Sequence, residues 1–165
     1  MIDESIWRTY TDVGCTAYAE GNLAMAEKMF QSASEALEGK KVSDIKLGAT
    51  FRNLAVVCHK QGKLDQAAHW YRKALAKYEC SSSSDPALVA WTLDGLAEIY
   101  FEKQFYQRAR PLFKRALNVF EEVFGSHSHV LGPRLLRLGW IANALGKPEL
   151  ALEYFNRARQ LRPAA

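Results

Sequence analysis

The chain has 165 residues, 48% of them hydrophobic and 24% charged, which is enough apolar material for one domain with a real core and too much for a disordered segment. Its net charge of +4 is mild rather than polybasic but unevenly placed: residues 1–100 carry 11 Lys/Arg against 13 Asp/Glu, net −2, and residues 101–165 carry 11 against 5, net +6. No apolar run approaches the roughly 20 residues that span a bilayer, Met1 to Ser5 has no leader pattern, and Cys15, Cys58 and Cys80 match no disulfide or zinc spacing; the expectation is reduced thiols in a cytoplasmic setting, without membrane contact.

Apolar residues recur at spacings of three and four throughout, with scarce Gly and Pro between them, so the predicted class is all-α. Helix 1A is expected from about Asp3 to Glu20 and 1B from Leu23 to Leu37, with Gly39 to Ser43 as the connection. Helix 2A follows a cap at Ser43 or Asp44 and reaches about Gln61; 2B covers Leu64 to Tyr78. Cys80 to Ser84 reads as a linker. Asp85-Pro86 is a cap followed by proline at the first helical position, opening 3A to about Lys103. Helix 3B covers Tyr106 to Phe124, with Pro111 demanding either a late start or a kink. Gly132-Pro133 delays or bends 4A, which ends near Leu145, and 4B begins at Pro148 and ends near Leu161, ahead of Pro163.

The stretch Asn53 to Leu75 is the clearest hairpin, and it recurs. Aligned on the small residue of each first helix, the copies fall at Gly14, Ala55, Ala97 and Gly139, steps of 41, 42 and 42. The preceding residue is apolar (Val13, Leu54, Leu96, Leu138), and the turn holds Gly21, Gly62, Gln104 and Gly146. Second helices carry Ala (Ala26, Ala67, Ala109, Ala151), an aromatic four later (Phe30, Tyr71, Phe113, Phe155), and Ala three after that (Ala33, Ala74, Ala116, Ala158). Small residues let the backbones approach to the close end of the usual ~8–10 Å helix spacing, and the aromatic fills the wedge between hairpins. Glycine supplies the left-handed turn, so Gln104 is expected to strain its hairpin by roughly 1 kcal/mol.

This order of small, Gly, Ala, aromatic and Ala resembles the tetratricopeptide repeat over Ser5 to Pro163, and the period, longer than that repeat's usual ~34 residues, is similar to the long repeats of kinesin light chains. The resemblance implies a right-handed α-solenoid of four hairpins forming one domain over residues 1–165, with repeats near 5–43, 44–84, 85–127 and 128–163. It also implies that a protein or peptide partner lies in a groove lined by the first helices.

Projecting the first helices onto that groove gives Asp12, Cys15 and Tyr18, then Arg52, Asn53, Val56 and His59, then Trp91, Asp94, Glu98 and Phe101, and finally Arg137, Trp140 and Asn143. Arg52, Asn53, Arg137 and Asn143 are the expected holders of a peptide's backbone or carboxylates, and Trp91 and Trp140 either form pockets for its apolar side chains or pack as core between first helices. Arg52 and Arg137 could equally pair with Asp94 and Glu98. A chaperone-tail clamp fits poorly: of Thr11, Cys15, Asn53, Trp91 and Gly95 only the asparagine matches. His127 and His129 lack a third metal ligand, and His59 and His69 lack a catalytic partner, so neither cofactor, metal nor enzymatic activity is expected. The basic second helices, with Arg108, Arg110, Lys114 and Arg115 and then Arg157, Arg159 and Arg162, suit an acidic protein surface better than nucleic acid. No polar capping helix covers the last hairpin, so either the sequence is part of a longer array or that face packs against another molecule; self-association through it is the alternative to a scaffold for other proteins.

Overall fold

The structure, a computed structural model, describes residues 4–37, 43–81 and 83–161. Among them are eight α-helices: α1 (Glu4–Ala19), α2 (Leu23–Leu37), α3 (Asp44–Lys60), α4 (Leu64–Cys80), α5 (Pro86–Glu102), α6 (Tyr106–Phe124), α7 (Gly132–Ala144) and α8 (Pro148–Gln160), with a short 3-10 turn at His129–Leu131. The expected start at Asp3, the connection through 38–42, Ser82, Arg162 and Pro163 lie outside the described residues. The chain falls into two compact units, Met1–Ser84 and Asp85–Ala165, each holding two hairpins. The first unit packs α2 against α3, and the second packs α6 against α7.

Three of the hairpin turns follow one geometry because glycine occupies the same place. Gly21, Gly62 and Gly146 have φ of 78°, 75° and 71°. In the second copy Gly62 donates to the His59 carbonyl and Lys63 to the Cys58 carbonyl, the paired bonds that close a helix on a left-handed residue. Gln104 is held in the same conformation, φ 59°, with Gln104 donating to Phe101 and Phe105 to Tyr100. The hairpin thus imposes its geometry on a residue that carries a Cβ.

Helix starts follow local chemistry. Ser43 is the cap of α3, its hydroxyl accepting from the Ile45 amide, while Asp44 opens the helix and pairs with Lys77. Asp85 caps α5 by accepting from Ala87, with Pro86 in the first turn. α6 begins at Tyr106 without the delay that Pro111 suggested; Pro111 sits on the exposed side, where water can serve the carbonyl its ring leaves without a donor. Gly132-Pro133 does shape its helix: Ser128 caps the 3-10 turn, and α7 takes over from Gly132 with proline in its first turn.

The core is built from the repeated positions. Ala26, Ala67, Ala109 and Ala151 are buried, as are Ala33, Ala74, Ala116 and Ala158, and so are Phe30, Tyr71 and Phe113. In the two glycine copies the ring lies directly on the backbone: a Cβ at Gly14 would come within 2.7 Å of the Phe30 ring, and one at Gly139 within 2.5 Å of the Phe155 ring. The long helices repeat this device two turns outward, where a Cβ at Gly48 would come within 2.7 Å of the buried Tyr78 ring. Ala90 and Phe120, both buried, hold the same two register positions in the third copy. This second small-and-aromatic contact is what the residues beyond the short repeat length add to the hairpin.

Two substitutions probe these features. Gln104→Gly is expected to raise stability by about 0.5–1 kcal/mol, read as a higher denaturant midpoint at unchanged slope, because glycine meets a positive φ without steric cost. Gly139→Val is expected to lower it by about 1–3 kcal/mol in the same measurement, because the Phe155 ring has to leave its place on the α7 backbone.

Candidate functional site

The site residues named from sequence lie on both units. On the first, Arg52, Asn53 and His59 are all half-buried on α3. The Arg52 guanidinium is near enough to Tyr78 to oppose the upward push that burial gives the Tyr78 phenol, and its Nε is buried without a hydrogen-bond acceptor. His59 closes the last turn of α3.

The second unit gathers its residues more tightly. α5 contributes Trp91, Asp94, Glu98 and Phe101, spaced by three and four so that they share one face, and α7 brings Arg134, Arg137 and Trp140 to meet them. Arg137 donates from Nε (2.9 Å) and Nη2 to the two oxygens of Glu98, and its guanidinium lies 4.6 Å from the Phe101 ring centre. The pairing of Arg137 with Glu98 anticipated from sequence is therefore present. Asp94 is taken by a different residue, Arg134, through Nε to Oδ1 (2.9 Å) and Nη2 to Oδ2.

Arg134 is the functional-face residue that sequence reasoning missed. It is only 7% exposed, its remaining donor Nη1 reaches the Val130 carbonyl, and its guanidinium is sandwiched 4.7 Å from Trp91 and 4.6 Å from Phe120. A signal for it existed. In the other three copies the same position is Thr9, Thr50 and Thr92, and each hydroxyl donates to the carbonyl four residues back. Arginine keeps that bond and adds a carboxylate clamp. Burial pushes the Asp94 carboxyl above the usual carboxylate range, and the hydrogen bonds and charge of Arg134 oppose that shift without cancelling it.

Trp91 packs one side of its ring, edge-on to Phe120 at 4.8 Å with Arg134 across it, and keeps 36% of its surface exposed. Trp140 is different, 56% exposed and touching Phe155 at 5.8 Å through one edge. It stands at a cleft of about 340 Å³ lined with Asp94, Glu98, Phe113, Pro133, Arg134, Leu136 and Arg137. Asn143 lies one turn further along α7 and is exposed.

Other candidate chemistry is sparse. No group of three or more His, Cys, Asp or Glu among the described residues could hold a metal ion, and the His127 ring is hydrogen-bonded to Ser126. The three cysteines are free thiols, with Cys58 buried and its thiol raised by that burial. No helix of the described residues is long and apolar enough to cross a membrane.

Stacked helical hairpins with small-and-aromatic seams and a side-chain-rich first-helix face define a helical-repeat interaction scaffold. The chain belongs to the tetratricopeptide repeat family, whose model matches residues 8–79 and 88–164. No curated protein shows a significant sequence match. Among solved structures it is similar in fold to the apo form of RapI (TM-score 0.86, 16% identity, 96% of this chain and 56% of that one) and to MamA (TM-score 0.75, 12% identity, 96% and 80%). A third likeness is to BtubC (BKLC) from P. vanneervenii, with TM-score 0.63, 17% identity and coverage of 96% and 83%. The chain thus spans a little over half the length of the RapI chain.

The Arg134 clamp yields a stability prediction. Asp94→Ala leaves a buried guanidinium without its carboxylate and is expected to cost about 3 kcal/mol in chemical denaturation. Replacing both partners with apolar side chains, Asp94→Leu with Arg134→Met, is expected to recover most of that loss.

Proposed function

We propose that this protein is a non-catalytic interaction module that holds an extended segment of a partner protein on the first-helix face, with Trp140 as the anchoring contact. The observation that carries this reading is the contrast between the two tryptophans of the second unit. Trp91, 36% exposed, lies against Phe120 and Arg134, whereas Trp140 presents 56% of its surface beside a cleft walled by the Arg134–Asp94 and Arg137–Glu98 pairs. An exposed aromatic on a preorganised frame is the usual centre of a binding hot spot, because its apolar area is buried on association at little cost in conformational entropy.

The arginines take a narrower role than free carboxylate holders. Arg134 is fully engaged within the unit, and Arg137 gives Nε and Nη2 to Glu98, keeping its other N–H groups for a backbone carbonyl. Asn143 can both donate to and accept from a peptide backbone. Asp94 and Glu98 shape the cleft while remaining satisfied by their arginines, so the surface favours a segment with an apolar anchor and polar flanks over a strongly charged one. On the first unit, α3 offers Arg52, with its buried Nε donor, together with Asn53 and His59 as the corresponding contacts.

Selection of a displayed peptide library against the intact protein tests this. The selected peptides are expected to share an aromatic or branched aliphatic residue, to quench or shift tryptophan fluorescence, and to lose at least tenfold in affinity, about 1.4 kcal/mol, on Trp140→Ala with the helical signal unchanged. Peptides whose affinity is indifferent to Trp140→Ala would place the binding surface elsewhere. Arg137→Glu is a poor probe of contact, because it sets two carboxylates against each other at Glu98.

A further inference from the structure

Within each unit one interface recurs: the first helix of the second hairpin lays an apolar ridge against the hairpin before it. In the first unit Leu54 of α3 is buried in that ridge and Val57 packs in one core with Ala17, Ala26 and Phe30. In the second unit Leu131 and Leu138 do the same work at the entrance and middle of α7, and both are buried. Polar contacts flank the ridge, with Glu27 of α2 receiving Gln61 and Lys63, and Glu98 of α5 receiving Arg137.

Both halves of this interface also occur uncovered on the same chain. The ridge positions of α1 are Ile6, in register with Leu131, and Val13, in register with Leu54 and Leu138; they are 44% and 39% exposed. The receiving face recurs on α7 and α8. There Leu152, in register with Glu27, is 60% exposed, Leu136 is 37% exposed, and Phe155 is the one member of its aromatic series that is not buried. A groove of about 350 Å³ runs between the two helices, its apolar walls formed by Pro133, Leu136, Phe155 and Ala158 and its edges by His129 and Arg159. Leu152 stands at the edge where Glu27 accepts Gln61 and Lys63, whose register partners beyond α1 are Glu20 and Asn22, while Phe155 holds the place of Phe30, the ring that receives the ridge in the first unit.

We propose that the occupant is a second copy of this chain, docked head to tail so that the α1 ridge of one copy fills the α7–α8 groove of the next. The interface continues the one that already joins α1–α2 to α3 and α5–α6 to α7, which fixes its orientation. Charge is complementary: residues 1–20 carry one Lys/Arg against four Asp/Glu, net −3, and residues 132–165 carry six against two, net +4. The contact is heterologous, since the two surfaces are different, and it therefore propagates instead of closing as a two-fold dimer. Burying Ile6 and Val13 against Leu136 and Phe155 removes exposed apolar area on both sides at once.

Sedimentation of the full chain across a wide concentration range tests the proposal. The wild type is expected to rise above its monomer mass of 18.6 kDa with concentration and to lose that association as salt screens the end charges. Val13→Lys, which puts a cation on the ridge facing a basic groove, and Leu152→Glu, which sets an anion beside the groove opposite Glu20, the residue in register with Gln61, are each expected to stay at monomer mass. Both positions are exposed in the single copy, so circular dichroism should be unchanged. An equimolar mixture of the two variants is expected to form dimers and stop there, because it contains one intact ridge and one intact groove per pair. A wild type that remains at 18.6 kDa throughout, a single variant that still associates, or a mixture that stays monomeric each overturns the head-to-tail contact. Neither substituted residue lies in the cleft beside Trp140, so a variant that loses self-association while still capturing peptide separates the two surfaces.

Discussion

Everything in this molecule depends on how close two helices of a hairpin can come. A single atom decides it: where glycine stands at the small position, the aromatic ring of the second helix rests on the backbone of the first, as Phe30 does on Gly14 and Phe155 on Gly139. Dispersion between a flat ring and a bare backbone is strong only at contact distance, and the ring in turn fills space that would otherwise be a void. The repeat unit is therefore defined by a pair of positions rather than by one residue, and Gly48 with Tyr78 extends the same pairing into the added turns. Once that spacing is fixed, the turn between the helices must reverse within a few residues, which is why even Gln104 is driven to a positive φ.

With the scaffold so constrained, individuality enters at the positions that face away from the seam. In the first unit the hairpins are joined by small polar bridges, the Trp7 indole to Thr50 and the Gln61 and Lys63 side chains to Glu27. In the second they are joined by guanidinium clamps, Arg134 to Asp94, Arg137 to Glu98 and Arg157 to Glu121. The excess of basic residues in the C-terminal part of the chain thus has a partly internal destination. A surface that looks cationic in a residue count is, at these three places, neutralised by its own carboxylates, and the exposed aromatic Trp140 stands out against it. The two bidentate pairs, of which Arg134–Asp94 is the buried one, orient side chains even where their net contribution to stability is small.

The tetratricopeptide architecture was legible from the chain alone because its determinants are local and repeated. Gly62, Ala67, Tyr71 and Ala74 each demand one backbone conformation or one size, and four concordant copies average out the noise that any single helix prediction carries. Caps at Ser43 and Asp85 and the turn at Gly146 could be read in the same way, since each is satisfied by neighbours within a few residues. Pro111 was harder, because whether a proline delays a helix depends on which side of it faces water, and that is set by packing. The Gly48 and Tyr78 pair was not singled out, since its small-and-aromatic spacing of 30 residues recurs in register only once more, at Ala90 and Phe120, and its contact distance is set by packing.

The candidate site divides along the same line. Sequence by itself determined the first-helix face, its residues, and the possibility that Arg137 meets Glu98, because helical spacing projects them to one side. Only the tertiary structure decided that Arg134 claims Asp94, that Trp91 stands edge-on to Phe120 and that Trp140 is the more exposed of the two tryptophans, because those outcomes rest on competition among neighbours for the same space and the same acceptor. A guanidinium takes the nearest carboxylate that lets it also stack on two rings. Which carboxylate that is follows from the distance between α5 and α7, a quantity that the small and aromatic residues of the seams set.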